Sequence, residues 1–223
     1  MSSTRDRRTT REKTLGGPVL GLLVAFSMLG CRAPDSRQAE EQSHEASAMG
    51  EMSAPTIVRP NPNVPNLEFT NQDGDVRTLA GLRGKPVLLS FIYTRCPMAS
   101  MCPLSTQNVA KAQELLTPEE RERIAVVTVT FDPDHDTPSV LKEYGQAYGA
   151  KFKDWQFWAG SHQDTADLMD VYGVWAMKEG DEFNHNMRNV ILAPDGSFAT
   201  ELRGSAWDPA QAASRLQSLL GES

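Results

Sequence analysis

Val87-Leu-Leu-Ser-Phe-Ile-Tyr93-Thr-Arg-Cys96-Pro-Met-Ala-Ser-Met-Cys102-Pro103 carries the reading of this chain: an apolar, strand-like run passes directly into two cysteines, each followed by proline. Proline suits the first turn of a helix, where its missing N–H has no intrahelical partner. The pattern therefore predicts a buried strand, a turn, and a helix from Pro103 to about Leu116, with Cys102 near the helix N-cap. A thiol there faces unpaired N–H groups, which favours the thiolate that binds metals and attacks disulfides. Arg95 stands close enough in sequence to add to that effect. Residues six apart on a continuous helix point about 120° from one another, so Cys96 to Cys102 must form a loop if both sulfurs converge. Pro97 supports the loop by disfavouring helical geometry at Cys96.

Outward from this segment the pattern is that of alternating strands and helices. Leu67 to Val76 reads as a hairpin turning at Asp73-Gly74. Ile124 to Phe131, rich in Val and Thr, is a second buried strand, followed by a helix from Thr137 to Tyr148. Trp155 to Trp158 is a short strand and Gln163 to Tyr172 a helix. Arg188 to Leu192 pairs with Ser197 to Leu202 across Pro194-Asp-Gly196, and Pro209 to Leu220 closes the chain as a helix. This order implies an α/β fold of the thioredoxin-like type, a central mixed sheet flanked by helices with an N-terminal β-hairpin. In such sheets sites gather at the carboxyl ends of strands, which is where Tyr93 leads into the cysteines.

The first 63 residues have another character. Arg5, Arg7, Arg8, Arg11 and Lys13 precede an apolar run, Leu15 to Leu29, that is short and rich in Gly and Ser, the pattern of a signal peptide over residues 1–30. It ends in Met28-Leu29-Gly30-Cys31, which resembles a lipobox, so Cys31 is the expected lipidation site. Ordinary signal cleavage and an uncleaved anchor are the competing readings. Residues 31–63 carry Glu, Gln, Ser, Ala and Pro with few aliphatic side chains, and read as a disordered linker containing His44. The folded domain is expected over residues 64–223.

The whole chain has a formal charge of -7. Removing residues 1–30 takes away five basic and two acidic side chains and moves it to -10. So acidic a domain is a poor candidate for nucleic acid. Of three cysteines, Cys31 belongs to the leader, which leaves Cys96 and Cys102 as the thiol pair of an exported domain, where disulfides persist. A plain stabilising disulfide remains one reading of the pair. Among the histidines, His185 lies just before the strand at Arg188 and so approaches the same sheet edge. Two thiolates and an imidazole form a soft donor set suited to copper, Cu(I) above all. His135 and His162 read as solvated, and Trp155, Trp158, Trp175 and Trp207 as packing.

An ordered set of segments resembles the Sco (SenC-like) family of copper chaperones over about residues 65 to 220. The set comprises Leu82-Arg-Gly-Lys-Pro86, Phe91-Ile-Tyr-Thr94 leading into the two Cys-Pro pairs, Phe131-Asp-Pro-Asp-His-Asp-Thr137, and His185 nine residues before Pro194-Asp-Gly196. The resemblance implies a thioredoxin-like fold facing the periplasm, with Cys96, Cys102 and His185 as copper ligands and Asp132 as an acidic residue beside the metal. It also implies a part in loading, or keeping reduced, the copper site of a respiratory cytochrome oxidase, hence a copper-accepting oxidase subunit and a thiol reductant as partners. The usual family motif has three residues between the cysteines, whereas here there are five, including Met98 and Met101. Thioethers bind Cu(I), so either methionine is a candidate supplementary ligand, with apolar packing as the alternative. A metal-free thiol-disulfide oxidoreductase built on the same pair is the second functional reading. The missing Cys-x-x-Cys spacing counts against it.

Overall fold

The computed structural model describes residues 66–221. The expected leader, Cys31 and the linker lie outside the described residues.

The chain first forms the expected hairpin, β1 (Phe69–Asn71) and β2 (Val76–Arg77), paired Phe69 to Arg77. Gly74 takes φ 89° at the turn, and Asn71 Oδ1 accepts from the Asp73 and Asp75 N–H groups. A short 3-10 turn at Leu79–Leu82 leads to β3 (Val87–Ile92), every residue of which is buried. Then follow α1 (Cys102–Glu114), α2 (Pro118–Arg123), β4 (Ala125–Thr130), α3 (Pro138–Ala147), β5 (Trp155–Gly160) and α4 (His162–Val171). A small hairpin of β6 (Ala176–Glu179) and β7 (Glu182–His185) precedes β8 (Arg188–Leu192), β9 (Phe198–Arg203) and α5 (Pro209–Leu220).

Seven strands form one sheet in the order β2-β1-β5-β4-β3-β8-β9, with β6 and β7 paired apart from it. Strands β3, β4 and β5 are parallel, and the outer strands antiparallel, so the sheet is mixed as expected. Because successive strand residues face opposite ways, the continuous apolar runs of β3, β4 and β8 serve two cores at once. Leu89, Val127 and Val190 pack on the face carrying Leu168 and Met169 of α4. Leu88, Val126 and Ile191 pack on the face carrying Val109 of α1, Leu141 of α3 and Leu216 of α5.

Two elements are additional to the sequence expectation. Helix α2 is six residues long and buries none of them, so no apolar period marks it. What holds it is a capping box: Thr117 Oγ1 accepts from Glu120 N–H, and Glu120 accepts from Thr117 N–H. The β6–β7 hairpin is polar on most of its surface and turns through Gly180 at φ 65°. Its function is positional, because His185 is its last residue.

Candidate metal centre

Cys96, Cys102 and His185 come together at the carboxyl end of β3. Their ligand atoms, two Sγ and one imidazole nitrogen, lie within 4.8 Å of one another. Both thiols are free. Cys96 sits in the loop after β3, its N–H directed to Tyr93 C=O, and is half-buried. The loop closes through a turn in which Met101 N–H donates to Met98 C=O at 2.9 Å. The Ser205 hydroxyl pins it by donating to Ser100 C=O. As the spacing required, the segment between the cysteines is not helix.

Helix α1 begins one residue earlier than expected. Met101 is its cap and Cys102 its first residue, fully buried, with Pro103 following. Ser105, one turn on, accepts a hydrogen bond from Asn189 Nδ2 of β8 at 3.0 Å, which fixes the start of the helix against the strand that follows His185. His185 Nδ1 lies 2.9 Å from Asn186 C=O. A carbonyl only accepts, so Nδ1 carries the proton and Nε2 keeps its lone pair. That lone pair faces Cys102 Sγ at 3.8 Å.

The two thiols are not equivalent, and the charge falls on the one the helix-start argument did not favour. Cys102, deep in the fold, is pushed well up by its S–H bond to Cys96 and by burial. Cys96 receives that hydrogen bond, together with help from the backbone groups of Cys102 and Met98, and is drawn down to about 5. The helix N-terminus is present at Cys102, but a buried thiol with no water around it holds its proton. Arg95 does not assist either, because its guanidinium is paired with Asp132 at 2.7 Å.

Asp132, buried and held to Arg95, lies outside the three-atom cluster and instead neighbours His135 and Asp136. Its contact with the site runs through Arg95, the residue before Cys96. His135 and His162, read as solvated, each meet a carboxylate at 3.0 Å, Asp136 and Asp134 respectively. Trp155, Trp158 and Trp207 are buried, whereas Trp175 is exposed.

Sequence reasoning did not single out the residues that frame the site. Tyr93, Phe131 and Phe183 form an aromatic wall around the imidazole, with Phe131 5.0 Å and Tyr93 5.7 Å from it, centroid to centroid. Burial and the adjacent Cys96 thiolate push Tyr93 up to about 12, so it stays neutral. Asp136, buried with no exposure, accepts from the Thr94 N–H at 3.0 Å and from the hydroxyls of Thr94 and Thr130. Its signals in the sequence were its place in an acidic run, Asp132 to Asp136, and in the Phe131 to Thr137 segment of the family resemblance.

The family model described as SCO1/SenC matches residues 59–221. The chain belongs to the SCO1/SenC family. The SCO1 protein homolog of Bacillus subtilis is 28% identical over 148 residues, covering 65% of this chain and 75% of that protein. ScoI of Bradyrhizobium japonicum, solved with copper bound, is 25% identical with a TM-score of 0.61, covering 73% of this chain and all of that one. BsSco, in which a disulfide switch has been identified and which is a member of the Sco family of cytochrome c oxidase assembly proteins, is 24% identical with a TM-score of 0.62. That likeness covers 76% of this chain and 98% of BsSco. The Sco fold seen in these structures bears out the thioredoxin-like α/β class expected from the order of elements.

Proposed function

We propose that this Sco protein is an exported copper chaperone that holds the metal with Cys96 Sγ, Cys102 Sγ and His185 Nε2. The observation that carries the reading is the approach of these three soft donors to within 4.8 Å, on elements separated by more than eighty residues. The set fits copper: two sulfurs favour Cu(I), and an imidazole oriented by a hydrogen bond at its other nitrogen is a prepared ligand. Cys102 gives up its proton on binding, so uptake releases acid. Copper bound in ScoI of Bradyrhizobium japonicum supports the metal.

Family membership supports the client. BsSco is a member of the Sco family of cytochrome c oxidase assembly proteins, and by membership of that family the acceptor here is the copper-accepting subunit of a respiratory oxidase. The signal-like start and Cys31 support a lipid anchor on the periplasmic face, with residues 31–63 as tether and residues 64–223 as the folded domain. A thiol reductant is then needed to keep the pair open to metal.

Titrating Cu(I) and Cu(II) into the reduced full chain, purified in detergent, and into its His185→Ala variant tests this. One equivalent bound by the parent and severely weakened in the variant supports the chaperone. No binding by the reduced parent sinks it.

One observation favours a second reading. A low thiolate at Cys96 beside a proton-bearing, buried Cys102 is also the asymmetry of a nucleophilic and a resolving thiol. Rapid insulin reduction, undiminished in His185→Ala and without copper, would identify a thiol-disulfide oxidoreductase.

A further inference from the structure

Cys102 has no exposed surface and His185 is 6% exposed, so two of the three donors are closed to solvent. An incoming ion meets the protein on the remaining side, where Cys96 is half-buried. Met98 stands there. Its backbone C=O lies 3.9 Å from Cys96 Sγ, and the residue is 54% exposed, so loop packing accounts for less than half of its surface. The turn from Met98 to Met101 and the Ser205 tie hold that backbone in place while the thioether stays free to swing on its rotatable bonds.

The other methionines near the site are placed differently. Met101 caps α1 and is partly buried, and Met187 packs against the core. Met177 is as exposed as Met98, but Ala176 is the residue paired with His185 in the small hairpin, so Met177 projects from the opposite face. Among the described residues, Met98 alone joins an exposed thioether to a backbone in contact with a cysteine of the site.

We propose that Met98 is an exchangeable entry ligand, which takes Cu(I) together with Cys96 from a donor and passes it inward to Cys102 and His185. The inference rests on the copper reading above and adds a route to it. The metal remains Cu(I) throughout. A Cu–S bond forms to the neutral Met98 thioether and to the Cys96 thiolate as the donor's thiolate or thioether ligands leave. Cys102 then loses its proton to solvent, its sulfur and His185 Nε2 bond to copper, and the Met98 bond breaks. Because Met98 holds the ion only in transit, it governs the rate of loading and not the final affinity.

The test is stopped-flow transfer of Cu(I) from its bicinchoninate complex to the reduced full chain in detergent, for the parent, Met98→Leu and Met177→Leu. Leucine keeps the bulk and removes the sulfur. Loading of Met98→Leu is expected to slow about tenfold, with equilibrium affinity within about twofold of the parent and Met177→Leu unchanged. Equal rates in all three, or equal slowing of both variants, overturns the proposal and leaves the three-ligand site standing. A parent that takes no copper overturns both. Methyl-labelled methionine NMR gives a second readout that does not depend on substitution at Met98. In His185→Ala, where the inward step lacks its imidazole, Cu(I) should shift the Met98 methyl resonance and leave that of Met177 in place. An unmoved Met98 resonance in copper-loaded protein also overturns the proposal.

Discussion

Asp136 fastens Thr94, 42 residues earlier, through both the backbone N–H and the hydroxyl of that residue. The contact joins the turn after β4 to the last step before Arg95 and Cys96, so the cysteine loop leaves the sheet from a fixed point. The same carboxylate accepts from Thr130 and meets His135, with no exposure to solvent. Removing it leaves buried donors without an acceptor. Asp136→Ala should therefore cost about 3 kcal/mol, as read by urea denaturation of the reduced, metal-free chain. Asp136→Asn keeps one acceptor oxygen and should cost clearly less. Equal stability of Asp136→Ala and parent would show that the contact does not hold the loop.

The unequal thiols give a pH dependence. Cys96 titrates at about 5, held down by the Cys102 hydrogen bond, against about 8.5 for an unperturbed cysteine. A depressed value means that the thiolate is present through neutral pH and is lost only as pH falls past 5. Alkylation of the reduced, metal-free protein by iodoacetamide should thus modify Cys96 with a half-point near pH 5, while Cys102 stays unmodified until the protein unfolds. Mass mapping of the labelled peptides reads both. Simultaneous labelling with a half-point above pH 8 would remove the asymmetry.

Much of this fold is legible because its central strands are long apolar runs and four of the five α-helices among the described residues carry proline in the first turn, signals that act locally. The three donor residues are legible as residue types, and the topology accounts for their meeting, since β3 and β8 are neighbours. Less legible is everything that works through tertiary contact. Asp132 and Asp136 are two acids in one turn, yet the first holds Arg95 and the second holds Thr94, which no spacing rule separates. Tertiary contact decided the thiols in the same way: the helix start at Cys102 was readable, but not that its thiol would bond to Cys96 and be buried. The capping box at Thr117 to Glu120 and the Gly180-Asp181 turn were readable signals on segments too polar for apolar periodicity to mark.

Asn186 controls His185 without any prospect of touching the metal. Its side chain accepts from Trp175 N–H at 3.0 Å and donates to Gly173 C=O at 2.9 Å, while its own C=O accepts from His185 Nδ1–H. Asn186→Ala removes the first two and frees the carbonyl that sets the imidazole. The variant should lose about 1–2 kcal/mol of stability and bind Cu(I) about tenfold more weakly. Isothermal competition against a chromophoric chelator measures the second quantity. Unchanged affinity in a destabilised variant would confine Asn186 to the hairpin.

Oxidation should close the site altogether. Diamide takes two electrons from Cys96 and Cys102, the Cys102 proton and a second proton from solvent, and leaves one S–S bond, which consumes both sulfur ligands. The sulfurs now lie within 4.8 Å, and a disulfide needs about 2 Å, so the loop from Pro97 to Met101 must move inward and pull on the Ser205 tie to Ser100. Copper binding only the folded, reduced chain should stabilise it by about 2.7 kcal/mol at a free concentration one hundred times Kd, and a Cu(I) chelator should abolish the gain. The oxidised chain should show no gain with or without chelator, and dithiothreitol should restore it. Thermal melts in the four conditions make the comparison. A copper-dependent rise of the same size in the oxidised protein would mean that the metal sits somewhere other than between these two sulfurs.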